Sequence, residues 1–129
     1  MSKTLKRIRQ LNDELREFAG CGVDCVPNGG NAFSSDPGMV YMSRIVCGLD
    51  SQDRLSLLNT VSKFDNFKED DEEHDFFSVY FKEQIYHGSI IYLDMPNDTP
   101  VGPSIDPSDP EITLRILVIR HRTENSLHV

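Results

Sequence analysis

The sequence predicts a single α+β domain, residues 1–129, in the order α-β-α-β-β-α, with a small, mainly antiparallel sheet packed by helices. Three observations predict it. An apolar stripe at three- and four-residue spacing runs through the first twenty residues. Two β-branched and aromatic runs, FFSVYF and IYHGSIIYLD, lie close together in the middle of the chain. Consecutive strands flanked by helices, without internal repeat or linker, are the pattern of α+β rather than α/β domains.

Residues 3–18 read as the first helix. Leu5, Ile8, Leu11, Leu15 and Phe18 share one face, and Lys6, Arg9, Asp13 and Arg16 fall on the others. Gly20 and Gly22 suit its stop. From Gly20 to Gly38 the turn chemistry of PNGGN and SSDPG leaves room only for a short extended piece at Val23–Val26. MVYMSRIV, residues 39–46, reads as a strand. Asp50 or Ser51 then caps a second helix ending near Lys63, with Leu55, Leu58 and Val61 inward and Leu57 beside them.

Residues 76–81 and 85–94 are expected to pair as an antiparallel hairpin across a tight turn at Lys82–Gln84, completing a three-stranded sheet. Residues 95–109 carry four prolines and read as an extended loop. ITLRILVIR suits a strand on propensity alone. Asp109 followed by Pro110 is nevertheless a helix-start signal, a capping carboxylate and then proline at the first helical position. It tips the prediction to a helix from Pro110 to about Arg122, with Ile112, Ile116, Leu117 and Ile119 inward. Residues 123–129 are expected to fray.

Charge narrows the function. Twenty-one Asp and Glu against 13 Lys and Arg leave −8, whereas binding along a nucleic-acid backbone requires cations that displace its counterions. An acidic chain is steered instead toward basic surfaces. Cys21, Cys25 and Cys47 form neither an even set nor a second C-x-x-C pair, so a disulfide framework or zinc site is not expected and the thiols are read as reduced. MSKTLKRIRQ lacks the apolar core of a signal peptide, and no stretch approaches the roughly 20 apolar residues of a membrane span. The expected compartment is a reducing cytoplasm.

The most distinctive segment is FDNFKEDDEEHDFF, residues 64–77. Between residues 65 and 75, seven acids and Lys68 leave a net −6. Such a run is a solvated loop, a divalent-cation site, or a surface whose carboxylates imitate the phosphates of nucleic acid for a basic partner. The D-x-D-x-D-G spacing of a calcium loop is missing. The expected partner-binding set is Glu69, Asp70, Asp71, Glu72, Glu73 and Asp75. Phe64, Phe67, Phe76 and Phe77, packed into the core, would anchor both ends of the run and lower the entropic cost of presenting its charge.

An alternative is a small metal-dependent hydrolase or nuclease using Asp70, Asp71, His74 and Asp75, with Asp94 brought near Asp75 by the hairpin and His87 nearer its turn. A His–carboxylate pair serves acid–base catalysis or forms a structural bridge. The chain has no phosphate-binding loop, G-x-S-x-G or H-E-x-x-H, so no catalytic residue, metal or cofactor is assigned. A further alternative is a structural or regulatory homodimer in which Lys3, Lys6, Arg7 and Arg9 meet the acidic run of a second copy. Arg115, Arg120, His121 and Arg122 form a similar basic end on the predicted last helix.

IRQLNDELR (8–16), KFDNFKEDDEEHDFF (63–77) and DPSDPEITLRILVI (106–119), in that order, resemble the bacterial family called domain of unknown function 3768. The chain departs from it in a longer stretch before MVYMSRIV, and in lacking a glycine and a tryptophan-containing strand after EHDFF. The resemblance implies a bacterial plasmid or phage source and brings no activity or catalytic residues. With the charge it yields the leading expectation: a non-enzymatic inhibitor or adaptor, of anti-CRISPR or anti-restriction type, that binds a basic nucleic-acid-handling protein or nucleoprotein complex.

Overall fold

The computed structural model describes residues 2–20, 38–95 and 100–124. Its chain order is α1 (Lys3–Ala19), β1 (Met39–Met42), α2 (Arg44–Cys47), α3 (Ser51–Ser62), β2 (Phe76–Phe81), β3 (Gln84–Asp94), β4 (Val101–Pro103) and β5 (Thr113–His121). The α+β class holds. The sheet has five strands in the order β1-β5-β3-β2, with the short β4 also on β3. β1 runs parallel to β5, and every other pairing is antiparallel.

The helix starts follow the sequence signals. The Ser2 hydroxyl accepts the Leu5 N–H at 3.0 Å to open α1, and the Asp50 carboxylate accepts the Asp53 N–H at 2.8 Å to open α3. The predicted strand 39–46 stops at Met42, because Ser43 turns the chain into the one-turn helix α2 and caps it. In α3 it is Leu57, Leu58 and Val61 that are buried, while Leu55 is half exposed. In α1, Arg16 is buried rather than outward, as is Asn12.

The largest correction is the last element. Residues 113–121 form a strand, not a helix. The Asp109 carboxylate accepts the Glu111 N–H at 3.0 Å, and Asp106 does the same for Ser108 at 3.1 Å. Both acids close local turns instead of opening a helix. Beyond them the chain enters the middle of the sheet between β1 and β3. All seven residues from Thr113 to Ile119 are buried, as in a strand covered on both faces, with Thr113 and Arg115 the polar members of an otherwise apolar run.

One face carries the main core. Val40, Met42, Phe77, Val79, Tyr86, Ile90, Leu117 and Ile119 of the sheet meet Leu15 and Ala19 of α1 and Leu57, Leu58 and Val61 of α3. Leu114, Ile116 and Val118 point to the other face beside Tyr41, Ile91 and Leu93.

The β2–β3 hairpin closes with Phe81 opposite Gln84, so its loop is Lys82–Glu83. Both residues have positive φ, 48° and 66°. This is the handedness that the strand twist demands and that glycine adopts at least cost. Glu83→Gly should therefore raise unfolding free energy by about 0.5–1 kcal/mol, read from urea melts. The sequence expectation that Cys47 is a reduced thiol does not hold: Cys47 is disulfide-bonded. Cys21 and Cys25, the extended piece expected at 23–26 and most of the expected frayed tail lie outside the described residues. Glu124 of that tail is held, accepting the His121 N–H at 2.8 Å and the Ile45 N–H at 3.2 Å.

Candidate functional site

The acidic run leaves α3 and crosses the start of β2 under local control. Asp71 N–H donates to the Lys68 carbonyl at 3.0 Å, making a turn around Glu69–Asp70. The Asp71 carboxylate then accepts the backbone N–H of His74 at 3.0 Å and of Asp75 at 3.4 Å. A side chain that satisfies two successive amides reverses the chain without regular structure. His74 takes the left-handed conformation, φ 58°, that this reversal requires.

Aromatic packing fixes the inner side of the run. Phe64 stacks on Phe77 at 5.3 Å and meets Phe67 edge-on at 4.8 Å. The ring of Phe77 reaches across to Gly88, where an added Cβ would lie 2.1 Å from it; the missing side chain is what admits the ring. Phe67 stacks on the His74 imidazole at 3.9 Å. The buried Arg16 guanidinium lies 5.2 Å from the Phe67 centroid and donates to Asp13 at 2.7 Å. Asp13 also bonds His74 Nδ1 at 3.0 Å. Three of the four expected aromatic anchors thus pack inward. Phe76 is half exposed, because strand alternation turns it to the opposite face.

A buried polar network ties the run to α1 and β5. The Asn12 amide donates to the Glu73 carbonyl at 3.0 Å and to Tyr92 Oη at 2.7 Å, and its oxygen accepts from Arg115 Nε at 2.9 Å. Tyr92 Oη in turn donates to the Glu73 carboxylate at 2.7 Å. Arg115 is 2% exposed, bonds the Pro107 carbonyl, and lies 5.3 Å from the Tyr92 ring centroid. Burial first, then the bond to Glu73, pushes the Tyr92 hydroxyl well above the usual tyrosine range. At the outer surface Arg9 donates to the Glu72 carbonyl at 2.8 Å. Arg115, expected at a basic surface end, is therefore a core residue, and Arg9 holds the run through its backbone.

The six predicted site residues fall into two groups. Glu69, Asp70 and Glu72 are exposed. Asp71, Glu73 and Asp75 are half-buried, the first two accepting the hydrogen bonds above. Asp70, Asp71, Glu72, Glu73 and Asp75, with Leu5 of α1, line one recess of about 200 Å³. Among the described residues, no Lys or Arg side chain forms an ion pair with a carboxylate of the run.

Asp75 registers that crowding. Burial, followed by the charge and hydrogen bond of Asp71 and the charge of Glu73, raises its carboxyl from 3.8 to about 6. A carboxyl with a raised folded-state value favours the fold when protonated. Its contribution is complete below 3.8 and lost as pH rises through about 6. Asp75→Asn, which mimics the protonated form, should stabilise the protein at neutral pH by about 1–2 kcal/mol after allowance for solvent screening. Below the unfolded-state value the gain should vanish. Urea melts at the two pH values check it.

Of the residues named for the hydrolytic alternative, Asp70, Asp71 and Asp75 line the recess, while His74, His87 and Asp94 are not among its lining. His74 packs on the helix side against Phe67 and Asp13. His87 lies on the other face of the sheet, bonded to Ser78 at 2.7 Å and stacked on Phe76 at 5.6 Å. Burial first, then the charges of Arg120 and His121, holds its imidazole below the usual range. Asp94 is not beside Asp75: Asp75 lies opposite Ile90, whose N–H it accepts at 2.8 Å, and β3 runs on to Asp94. No group of three or more His, Cys, Asp and Glu suited to a metal ion occurs among the described residues. No helix among them is long and apolar enough to cross a membrane.

The family pattern described as Protein of unknown function (DUF3768) matches residues 42–124, and the chain belongs to that family. The matched stretch holds α2, α3, the acidic run and most of the sheet; the resembling fragment 8–16 in α1 lies outside it. No curated protein and no solved structure matches the chain.

Proposed function

We propose that this chain is a non-enzymatic acidic adaptor or inhibitor that binds a basic surface of a nucleic-acid-handling bacterial protein or nucleoprotein complex. Its origin would be a plasmid or phage whose products act against host defences such as CRISPR or restriction. The observation that supports this reading is the carboxylate-lined recess beside Glu69, Asp70 and Glu72. It is anchored by Asn12, Arg9 and the Phe64–Phe67–Phe77 cluster, yet unpaired with the chain's own cations among the described residues. Ordering charge before the partner arrives lowers the entropic cost of association. An uncompensated negative potential also speeds encounter with a cationic surface and makes binding salt-sensitive.

The test is capture from bacterial lysate with the tagged full chain at low and high salt, followed by mass spectrometry. The reading expects one or a few basic nucleic-acid-handling proteins, retained at low salt and released at high salt. Retention of none, or retention indifferent to salt, contradicts it.

A further inference from the structure

We propose that the outer edge of β2, with the aromatic cleft beside it, takes an extended arginine-bearing segment of a partner protein as an added strand. The proposal rests on the acidic-surface reading above and specifies how the partner is held.

Among the described residues β2 is an edge strand, paired only to β3. Asp75 accepts from Ile90 across that pair, so the antiparallel alternation points Asp75, Phe77, Val79 and Phe81 toward β3. The backbone N–H and C=O groups of Phe76, Ser78 and Tyr80 then face away from the sheet. None of them bonds the backbone of another described segment outside the strands. Natural edge strands are blunted by lysine, proline, bulges or brevity. FFSVYF has six residues, no charge, no proline and no glycine, and Phe76 and Tyr80 are 50% and 68% exposed. A bare edge of this composition pairs with other chains unless something selects what approaches. The selecting element is the run with net −6 between residues 65 and 75, directly before it.

A cleft of about 470 Å³ opens at the same edge. Phe64, Phe67, Phe76 and Phe77 supply its walls, and Asp70 and Asp71 outnumber Lys68 among the charges that line it. Ser78 lines it too, so an added strand passes its mouth and sends alternate side chains toward it. Aromatic walls with a carboxylate rim suit a guanidinium better than an ammonium. The guanidinium is planar, weakly hydrated, and able both to lie on rings and to fork onto carboxylates. The molecule already uses the combination internally, in Arg16 near the Phe67 ring and bonded to Asp13. A second copy is the poorer occupant, because each chain carries −8 with most of it beside this edge.

The probe is a blocked pentapeptide with a central arginine flanked on each side by valine and then threonine, titrated into the ¹⁵N-labelled full chain. Two analogues accompany it, one with citrulline for arginine and one with alternate backbone nitrogens methylated. The amides of Phe76, Ser78 and Tyr80 should shift and exchange more slowly. Each analogue should bind at least about tenfold more weakly, about 1.4 kcal/mol. Unweakened binding of the N-methylated peptide overturns the added strand; if citrulline still weakens binding, the acidic-surface reading survives alone. Unweakened binding of the citrulline peptide removes both. Absence of binding, perturbation centred on another edge, or dimerisation through Ser78 also overturns the proposal, the last in favour of a second copy.

Discussion

Asn12→Ala should lower unfolding free energy by about 3–5 kcal/mol, a large share of the 5–15 kcal/mol that holds a typical domain together. Asn12 is fully buried and makes three hydrogen bonds at once, to Glu73, Tyr92 and Arg115. Its removal leaves the Arg115 Nε donor, the Glu73 carbonyl and the Tyr92 oxygen short of a partner in surroundings that water reaches poorly. Each such loss costs about 1–3 kcal/mol, more where the group is charged. Arg115 raises the stakes, because its buried cation has no carboxylate within ion-pair distance among the described residues. The same substitution removes one tie between the acidic run and α1, leaving those of Arg9 to Glu72 and Asp13 to His74. Amide exchange of residues 72–75 should therefore accelerate more than that of Leu57, Leu58 and Val61, deep under α3. Urea melts and hydrogen exchange on one sample give both readings. Equal acceleration in the two regions contradicts the clamp.

Reversing Glu69, Asp70 and Glu72 together to Lys should abolish partner capture while leaving the melting temperature unchanged or slightly raised. All three are exposed, and among the described residues no ion pair is lost. The variant carries −2 instead of −8, since each reversal moves the charge by two. Relief of mutual repulsion among neighbouring carboxylates offsets any small loss. Asp71 and Glu73 should behave oppositely. Asp71 holds two backbone amides and Glu73 accepts the Tyr92 hydroxyl, so Asp71→Lys and Glu73→Lys should destabilise the fold itself. This division separates a surface used for recognition from charge kept for structure.

Local chemistry was legible in the sequence wherever one residue decides it. Asp50 caps its helix, and FFSVYF pairs with the next apolar run across a tight turn. The anchoring of the acidic run by Phe64, Phe67 and Phe77 was legible for the same reason, as an aromatic pattern at its borders. The final strand was misread because Asp109-Pro110 makes the same first move in a turn as in a helix. The conformation of residues 113–121 is decided by neighbours: β1 and β3 on the two sides and apolar residues on both faces. Asn12 and Arg16 were missed because polar side chains were assigned to solvent. Yet Ile8, Asn12 and Arg16 are four residues apart on the stripe that α1 buries. The inward turn of Glu73 leaves no local signal, since its partners lie in α1 and β3.

The central claim is that the run is held in place with its negative charge uncompensated. The titration of the Asp75 side-chain carboxyl, followed by ¹³C NMR in wild type and in Asp71→Asn, tests it most directly. The account predicts a wild-type midpoint near 6, shifted down when the Asp71 charge is removed. A wild-type midpoint near the ordinary value of 3.8, indifferent to Asp71, would show a solvated or self-neutralised segment and contradict the account.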